Sequence, residues 1–443
     1  MKTLSIIVYL FFTLQLYSQT DKIKVYFNNP VDNSASNLVN AINVNDFTDT
    51  IVAYINRTQS TLDVCNYNTS SITILNAINA AKNRGVVVRY IASNTALGNN
   101  NELANLSSAI PMIQRPSDGE VMHNKFMIYD IGNASKATVL SGSANHSNKS
   151  LATDFNNIIF IQDQTLAQAY KTEFEEMWGS NTNTPNSSNA KFGDQKTDNT
   201  PHNFVVDGIN IELYFSPSDN TESHIETALL TANTDIKFEM LTFTSNALGD
   251  AIINRVNTGV DVMGIIYNTS YWGSEYNGIN NAGADIISTQ TNLSQITHNK
   301  YAIIDAENIN SDPILITGSH NWSNSAQDDY DENTLIIHDK YIVHQYLEAF
   351  GARRPVATSI EEINQNITLD IFPNPTRNKI TIKTDVNIET ISIYNLIGQL
   401  QTQQKGIEEP ETTLNISNLK TGIYLVEVKT IDNKTLQKTI SVQ

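Results

Sequence analysis

Two sets of side chains carry most of the chemical meaning of this sequence. His123 and Lys125 stand two residues apart, Asp130 follows, and Gly142-Ser143-Ala144-Asn145 comes after a short apolar run. The same order returns as His298, Lys300, Asp305 and Gly318-Ser319-His320-Asn321. In a β-strand, residues i and i+2 share a face, so each H-x-K pair aims an imidazole and an ammonium at one target. Cleaving a phosphodiester through a covalent intermediate needs a nucleophile, an acid for the leaving oxygen, a base for water, and positive donors around phosphorus. Two H-x-K strands face to face supply that set. One neutral imidazole attacks; the other, protonated, serves the leaving alcohol and then activates water. Lys125 and Lys300 stabilise the phosphoryl oxygens, Asn145 and Asn321 donate through their amides, and Ser143 and Ser319 assist through hydroxyls. The lysines fill the role a divalent ion plays elsewhere, so neither metal nor cofactor is expected. His146, His202, His224, His320, His338 and His344 fall in no metal-ligand spacing.

This twin arrangement resembles the H-K-D signature of the phospholipase D superfamily, a group of metal-independent phosphodiesterases. The resemblance implies two similar lobes packed about a pseudo-twofold axis, with the site at their junction. It also implies that an acidic residue downstream of each motif holds a histidine ring. Counted from each Gly-Ser pair, that position is Glu332 in the second copy and Asn156 in the first. On this alignment Glu332 belongs beside His298, raising its pKa and making it the acid. Asn156 then leaves His123 neutral and nucleophilic, with Asp154 as a candidate substitute carboxylate. Asp130 and Asp305 lie an odd number of residues from each H-x-K pair, so a regular strand turns them away, into a structural role.

The elements that must position these residues are also duplicated. Leu62–Tyr67 and Ile236–Phe243 read as strands. Helices follow through Ile72, Leu75 and Ile78, and through Leu248, Ile252 and Val256, each stopped by a glycine, Gly85 or Gly259. Val86–Ile91 and Val260–Tyr267 are then buried strands. This is the grammar of an α/β lobe with helices packed on a sheet. Residues 181–203, rich in Asn, Ser, Thr and Pro, read as a linker or surface loop. The helix Thr165–Trp178 before it carries its aromatics on a core face.

The expected organisation is a signal peptide at 1–19, lobes at 20–180 and 204–355 around the 181–203 linker, and a small all-β sandwich at 368–443. Lys2 and the apolar run from Leu4 to Leu16 carry the signal-peptide reading. The final domain rests on short alternating strands. Its F-P-N-P opening at Phe372, Tyr394-Asn395-Leu396-Ile397-Gly398, Leu419-Lys420-Thr421-Gly422 and the terminal Lys438-Thr439-Ile440-Ser441-Val442 resemble the C-terminal sorting domain of type IX secretion substrates. That resemblance implies the type IX machinery as a partner and a secreted or cell-surface location. The single cysteine, Cys65, excludes an intramolecular disulfide and reads as a core residue. A net charge of −18 argues against broad phosphate-backbone binding. The favoured function is therefore hydrolysis of phospholipid head-group phosphodiesters through a phosphohistidine. A superfamily nuclease acting on DNA or RNA, and a surface binding protein with a residual site, are the alternatives.

Overall fold

The computed structural model describes residues 20–94, 100–290, 295–308, 310–354, 369–395, 399–431 and 435–443. The expected signal peptide lies outside these residues. The chain divides into two units, one up to Pro355 and one from Val356 onward.

The first unit holds two sheets. One contains β1 (Ile23–Phe27), β2 (Thr61–Asn66), β3 (Val87–Ala92), β4 (Met112–Gln114), β5 (Lys125–Tyr129), β6 (Thr138–Gly142) and β7 (Asn157–Ile161), in the order β1-β7-β6-β5-β2-β3-β4. The other contains β8 (Asn203–Val206), β9 (Ile209–Ser216), β10 (Asp235–Met240), β11 (Asp261–Ile266), β12 (Asp285–Ser288), β13 (Lys300–Ile304), β14 (Ile314–Gly318) and β15 (Glu332–His338). Its order is β12-β11-β10-β13-β14-β15-β9-β8. Read backwards, the second order repeats the first and adds β8 at the edge. The repeat seen in sequence is thus a repeat of topology.

Outer helices close each lobe. Ile72–Asn83 and Asn246–Asn257 begin where Ser71 and Ser245 accept from the amides of Ile74 and Leu248, serving as N-caps. The two longer helices, Gln164–Trp178 and Lys340–Arg353, are capped by Asp163 and Asp339. They join a core that belongs to both lobes: Phe126, Tyr170, Phe174 and Trp178 share one cluster with Tyr301, Leu335, Ile337 and Tyr346. The two lobes therefore form one body around a common core.

The 181–203 segment departs from the expected loop. It is exposed to about Asn189 but buried at Phe192, Gly193 and Lys196. The Lys196 ammonium meets Glu173 at 2.5 Å and Asp331 at 3.2 Å. A composition-based reading saw only the polar residues; one buried lysine and its two carboxylates turn the segment into a strap across both lobes.

The second unit is all β: β16 (Leu369–Phe372), β17 (Lys379–Asn395), β18 (Leu400–Asn415), β19 (Gly422–Thr430) and β20 (Thr435–Val442), every pairing antiparallel. Register shifts along β17 break its long ladder with β18, as bulges do where a strand bends. Ile380, Ile382, Ile391, Ile393, Val426, Val428 and Ile440 form its own core. No described helix in the chain is long and apolar enough to cross a membrane.

Candidate active site

The twin motifs meet at the junction of the two sheets. Lys125 and Lys300 open β5 and β13, while His123 and His298 stand just ahead of those strands. Each histidine backbone is tied to the opposite lobe. The His123 amide donates to the carbonyl of Asp331 at 2.9 Å, and that of His298 to Phe155 at 3.0 Å. The histidines lie just outside the regular strands, and these cross-lobe bonds fix their backbones there.

Both ammoniums are buried and turn back on their own motif. Lys125 Nζ donates to the His123 carbonyl at 2.6 Å, and Lys300 Nζ to the His298 carbonyl at 2.7 Å. Burial brings the Lys125 ammonium down to about 7. Burial, and then the charge of Lys125, depresses Lys300 well below the ordinary lysine range. Burial lowers both imidazoles, and both lysines add to the effect on each. The cross-lobe bonds bring the four groups to one junction, where each favours the neutral form of the others and an arriving phosphoryl anion favours their charged forms.

The ring partners correct the sequence alignment. Glu332 does not stand beside His298. Its Oε1 lies 2.7 Å from His123 Nδ1, and Asn156 Oδ1 lies 2.8 Å from His298 Nδ1. Counting within each copy identified the right residues but paired them with the wrong rings, because the segments opening β7 and β15 cross the lobe interface. Asn156 is fixed in orientation: its Nδ2 donates to the carbonyls of Ser150 and Asp154, leaving Oδ1 for His298. Asp154 does not replace the missing carboxylate; it accepts from the Ile296 amide and pairs with Lys149.

The remaining motif residues divide into two groups. The carboxamide oxygens of Asn145 and Asn321 are buried and take no hydrogen bond from any described residue. The hydroxyls of Ser143 and Ser319 are occupied. Ser143 donates to Asn156 Oδ1 at 2.8 Å, and Ser319 accepts from the Asn333 amide at 3.0 Å. They brace the ring-holding segments, which changes the direct role expected for them. Asp130 and Asp305 have φ of 49° and 53°. Asp130 accepts from the amides of Gln59 and Ser60, and Asp305 from those of Asn233 and Thr234, so each closes its lobe away from the histidines. The motif glycines answer to close packing. Gly142 and Gly318 have φ of +131° and +149°, and a Cβ on either would run into the backbone of Asn157 or Asn333.

Sequence reasoning missed the frame around this pocket. Asn333 Nδ2 donates to Asn124 Oδ1 at 2.7 Å, and Asn157 Nδ2 to Asn299 Oδ1 at 2.9 Å. Tyr170 and Tyr346 donate to the oxygens of the same Asn333 and Asn157. All six side chains recur at matching places in the two copies, which was the available signal. A second omission lies on the His123 side. Asp331 accepts from Arg115 at 2.9 Å and from the Gly193 amide at 2.8 Å, in addition to its pairing with Lys196. This charge clamp has no counterpart at Phe155, where Arg353 stacks on the ring at 3.7 Å. Tyr67 also walls the pocket, its ring 4.8 Å from that of His123.

Residues outside the motifs fall elsewhere. Cys65 is buried, and Trp322 packs on Phe238 and Phe243. His202 stacks on Tyr214. Ligand atoms of Asp198, His202 and Asp219 lie within 4.8 Å of one another, but the group shares no residue with the twin-histidine centre. Asp219 is already taken by the Phe215 amide and the Ser218 hydroxyl.

Two duplicated lobes with paired H-x-K motifs at their junction define a class, the twin-motif phosphodiesterases. Residues 51–178 and 225–354, more than half of the chain, match the family described as cardiolipin synthase, PLD-like domain, and the chain belongs to this phospholipase D-like superfamily. Residues 370–443 match the secretion system C-terminal sorting domain, which indicates a secreted or cell-surface protein. The mitochondrial cardiolipin hydrolase of Xenopus tropicalis is 29% identical over 123 residues, covering 28% of this chain and 56% of that protein. Its Mus musculus counterpart is 32% identical over 136 residues, covering 30% and 58%. The chain thus spans a little over half the length of these relatives. The fold is similar to that of phosphatidylserine synthase from Haemophilus influenzae Rd KW20, with a TM-score of 0.53 and 14% identity over 76% of this chain and 87% of that one.

Proposed function

We propose that this protein hydrolyses the head-group phosphodiester of a phospholipid through a phosphohistidine on His123. The observation that carries this reading is the convergence of both imidazoles and both ammoniums in one buried pocket, with each Nδ1 held by a fixed acceptor. A ring held at Nδ1 keeps Nε2 for substrate.

The role of the carboxylate differs from the one inferred by alignment. His123 Nε2 attacks phosphorus and the bond to the leaving alcohol breaks. The developing positive charge on the ring is relieved as the Nδ1 proton moves towards Glu332. Burial pushes that carboxyl up to about 8, making it a competent acceptor. His298, whose imidazolium the bound phosphoryl anion favours against burial and the lysine charges, protonates the leaving oxygen from Nε2. It then takes a proton from water, whose oxygen attacks phosphorus as the N–P bond breaks. Lys125, Lys300, Asn145 and Asn321 surround the phosphoryl oxygens throughout. The type IX secretion machinery is the proposed export partner.

Phospholipid is favoured over nucleic acid by the −18 charge and by the exported location. The test is one assay of the mature protein on phosphatidylcholine, phosphatidylinositol, cardiolipin, single-stranded DNA and RNA, all with EDTA. Release of a lipid head group is expected. Cleavage of an oligonucleotide with every lipid left intact makes the protein a nuclease; no turnover of any substrate leaves a binding protein.

A further inference from the structure

We infer that the concavity beside Trp272 is the head-group subsite of this centre and that it takes an uncharged polyhydroxyl ring, a sugar or cyclitol. The inference rests on the phospholipid reading above and names the alcohol that leaves. Trp178 and Trp322 are buried, whereas Trp272 is 99% exposed. A fully exposed indole gains nothing from the core and leaves its flat face free to line a binding surface. It borders a concavity of about 410 Å³ lined by Thr244, Asn246, Gly273, Ser323, Asn324 and Ser325.

The concavity is tied to the second motif through the backbone. The Ser323 amide donates to the carbonyl of Asn321 at 2.9 Å, and the Thr244 amide to that of Trp322 at 2.7 Å. Its lining therefore starts at Ser323, two residues beyond the Asn321 that closes the second G-S-x-N motif.

The lining chemistry selects the ligand. Hydroxyls and carboxamides both donate and accept, as sugar hydroxyls do. The indole face offers a flat apolar plate for the C–H face of a six-membered ring. No lining residue is charged. A choline or ethanolamine cation would lack its carboxylate or aromatic cage, and a serine head group would lack a cation for its carboxylate.

The experiment compares phosphatidylinositol with phosphatidylcholine, each diluted in micelles of an uncharged detergent, for the full-length mature protein and for Trp272→Ala. Wild type is expected to prefer phosphatidylinositol by about tenfold or more in kcat/KM, because a site built to hydrogen-bond a group discriminates against an analogue lacking it. Trp272→Ala should lose most of that ratio, with the change in KM for phosphatidylinositol. Trp272→Phe, which keeps a flat ring, should retain part of it, and Asn246→Leu should reduce it independently. Equal wild-type rates on the two lipids, or an unchanged ratio in Trp272→Ala, overturn the subsite and leave the phospholipid reading standing. Wild type that cleaves an oligonucleotide and neither lipid overturns that reading itself.

Discussion

At the residue scale the centre is asymmetric: one imidazole is held by a carboxylate, the other by an amide. If His123 is the nucleophile, His123→Ala should abolish cleavage. His298→Ala should be nearly as damaging with alkyl leaving groups, which depart only when protonated. With a nitrophenyl diester, His298→Ala should still give a first-turnover burst, then accumulate acid-labile phosphate on the peptide containing His123. Label on the His298 peptide would reverse the roles. The sign of the pH effect follows from Glu332. Its carboxyl is raised, so the proton-accepting form appears only as pH rises towards about 8. Wild-type kcat/KM should rise with Glu332 ionisation on the acid side and fall on the alkaline side as Lys125 and Lys300 lose their protons; Glu332→Gln should remove the acid limb and lower the rate about a hundredfold. A profile unchanged in Glu332→Gln would exclude this role. The reacting residues were legible because each is chemically distinctive and appears twice. Their partners were not. Spacing along a chain reports neighbours within a lobe, whereas Glu332 and Asn156 reach across to the other one.

At the element scale, strands and outer helices could be read from apolar periodicity and glycine stops, and they begin and end within a residue or two of expectation at Thr61–Asn66, Ile72–Asn83 and Asn246–Asn257. The 181–203 strap escaped because it rests on a few buried residues, Phe192, Gly193 and Lys196, set among many polar ones. Lys196→Met should cost about 3–5 kcal/mol, since it strands Glu173 as a buried carboxylate without its cation and takes one of two cations from Asp331. Urea unfolding would measure this, and a loss under 1 kcal/mol would make the strap incidental. The motif glycines make a second case. Gly142→Ala should cost about 3 kcal/mol, because it combines an unfavourable φ with a collision against the next strand. Thermal melts of Gly142→Ala and of a control such as Gly132→Ala, where a Cβ meets nothing within 4 Å, would separate that collision from a general glycine effect.

At the scale of the whole molecule, the chain up to Pro355 carries both motifs and a core of its own, and the sorting region carries another. A protein ending at Arg354 should fold and keep its turnover; a soluble, folded but inactive product would contradict that division. Activity should also survive exhaustive chelation, and its loss in EDTA with recovery on adding Zn²⁺ would replace the lysine-based mechanism. The crossed bonds between lobes bear on ancestry. His123 finds its backbone acceptor and its ring partner in the second copy, while His298 finds both in the first. A single ancestral lobe could therefore have completed its histidine only by pairing with a twin, and two identical twins would have held both rings alike. Two lobes on one chain carry no such obligation. Each half can then differ from the other, and the Glu332 and Asn156 pair is such a difference, giving one chain two unlike histidines.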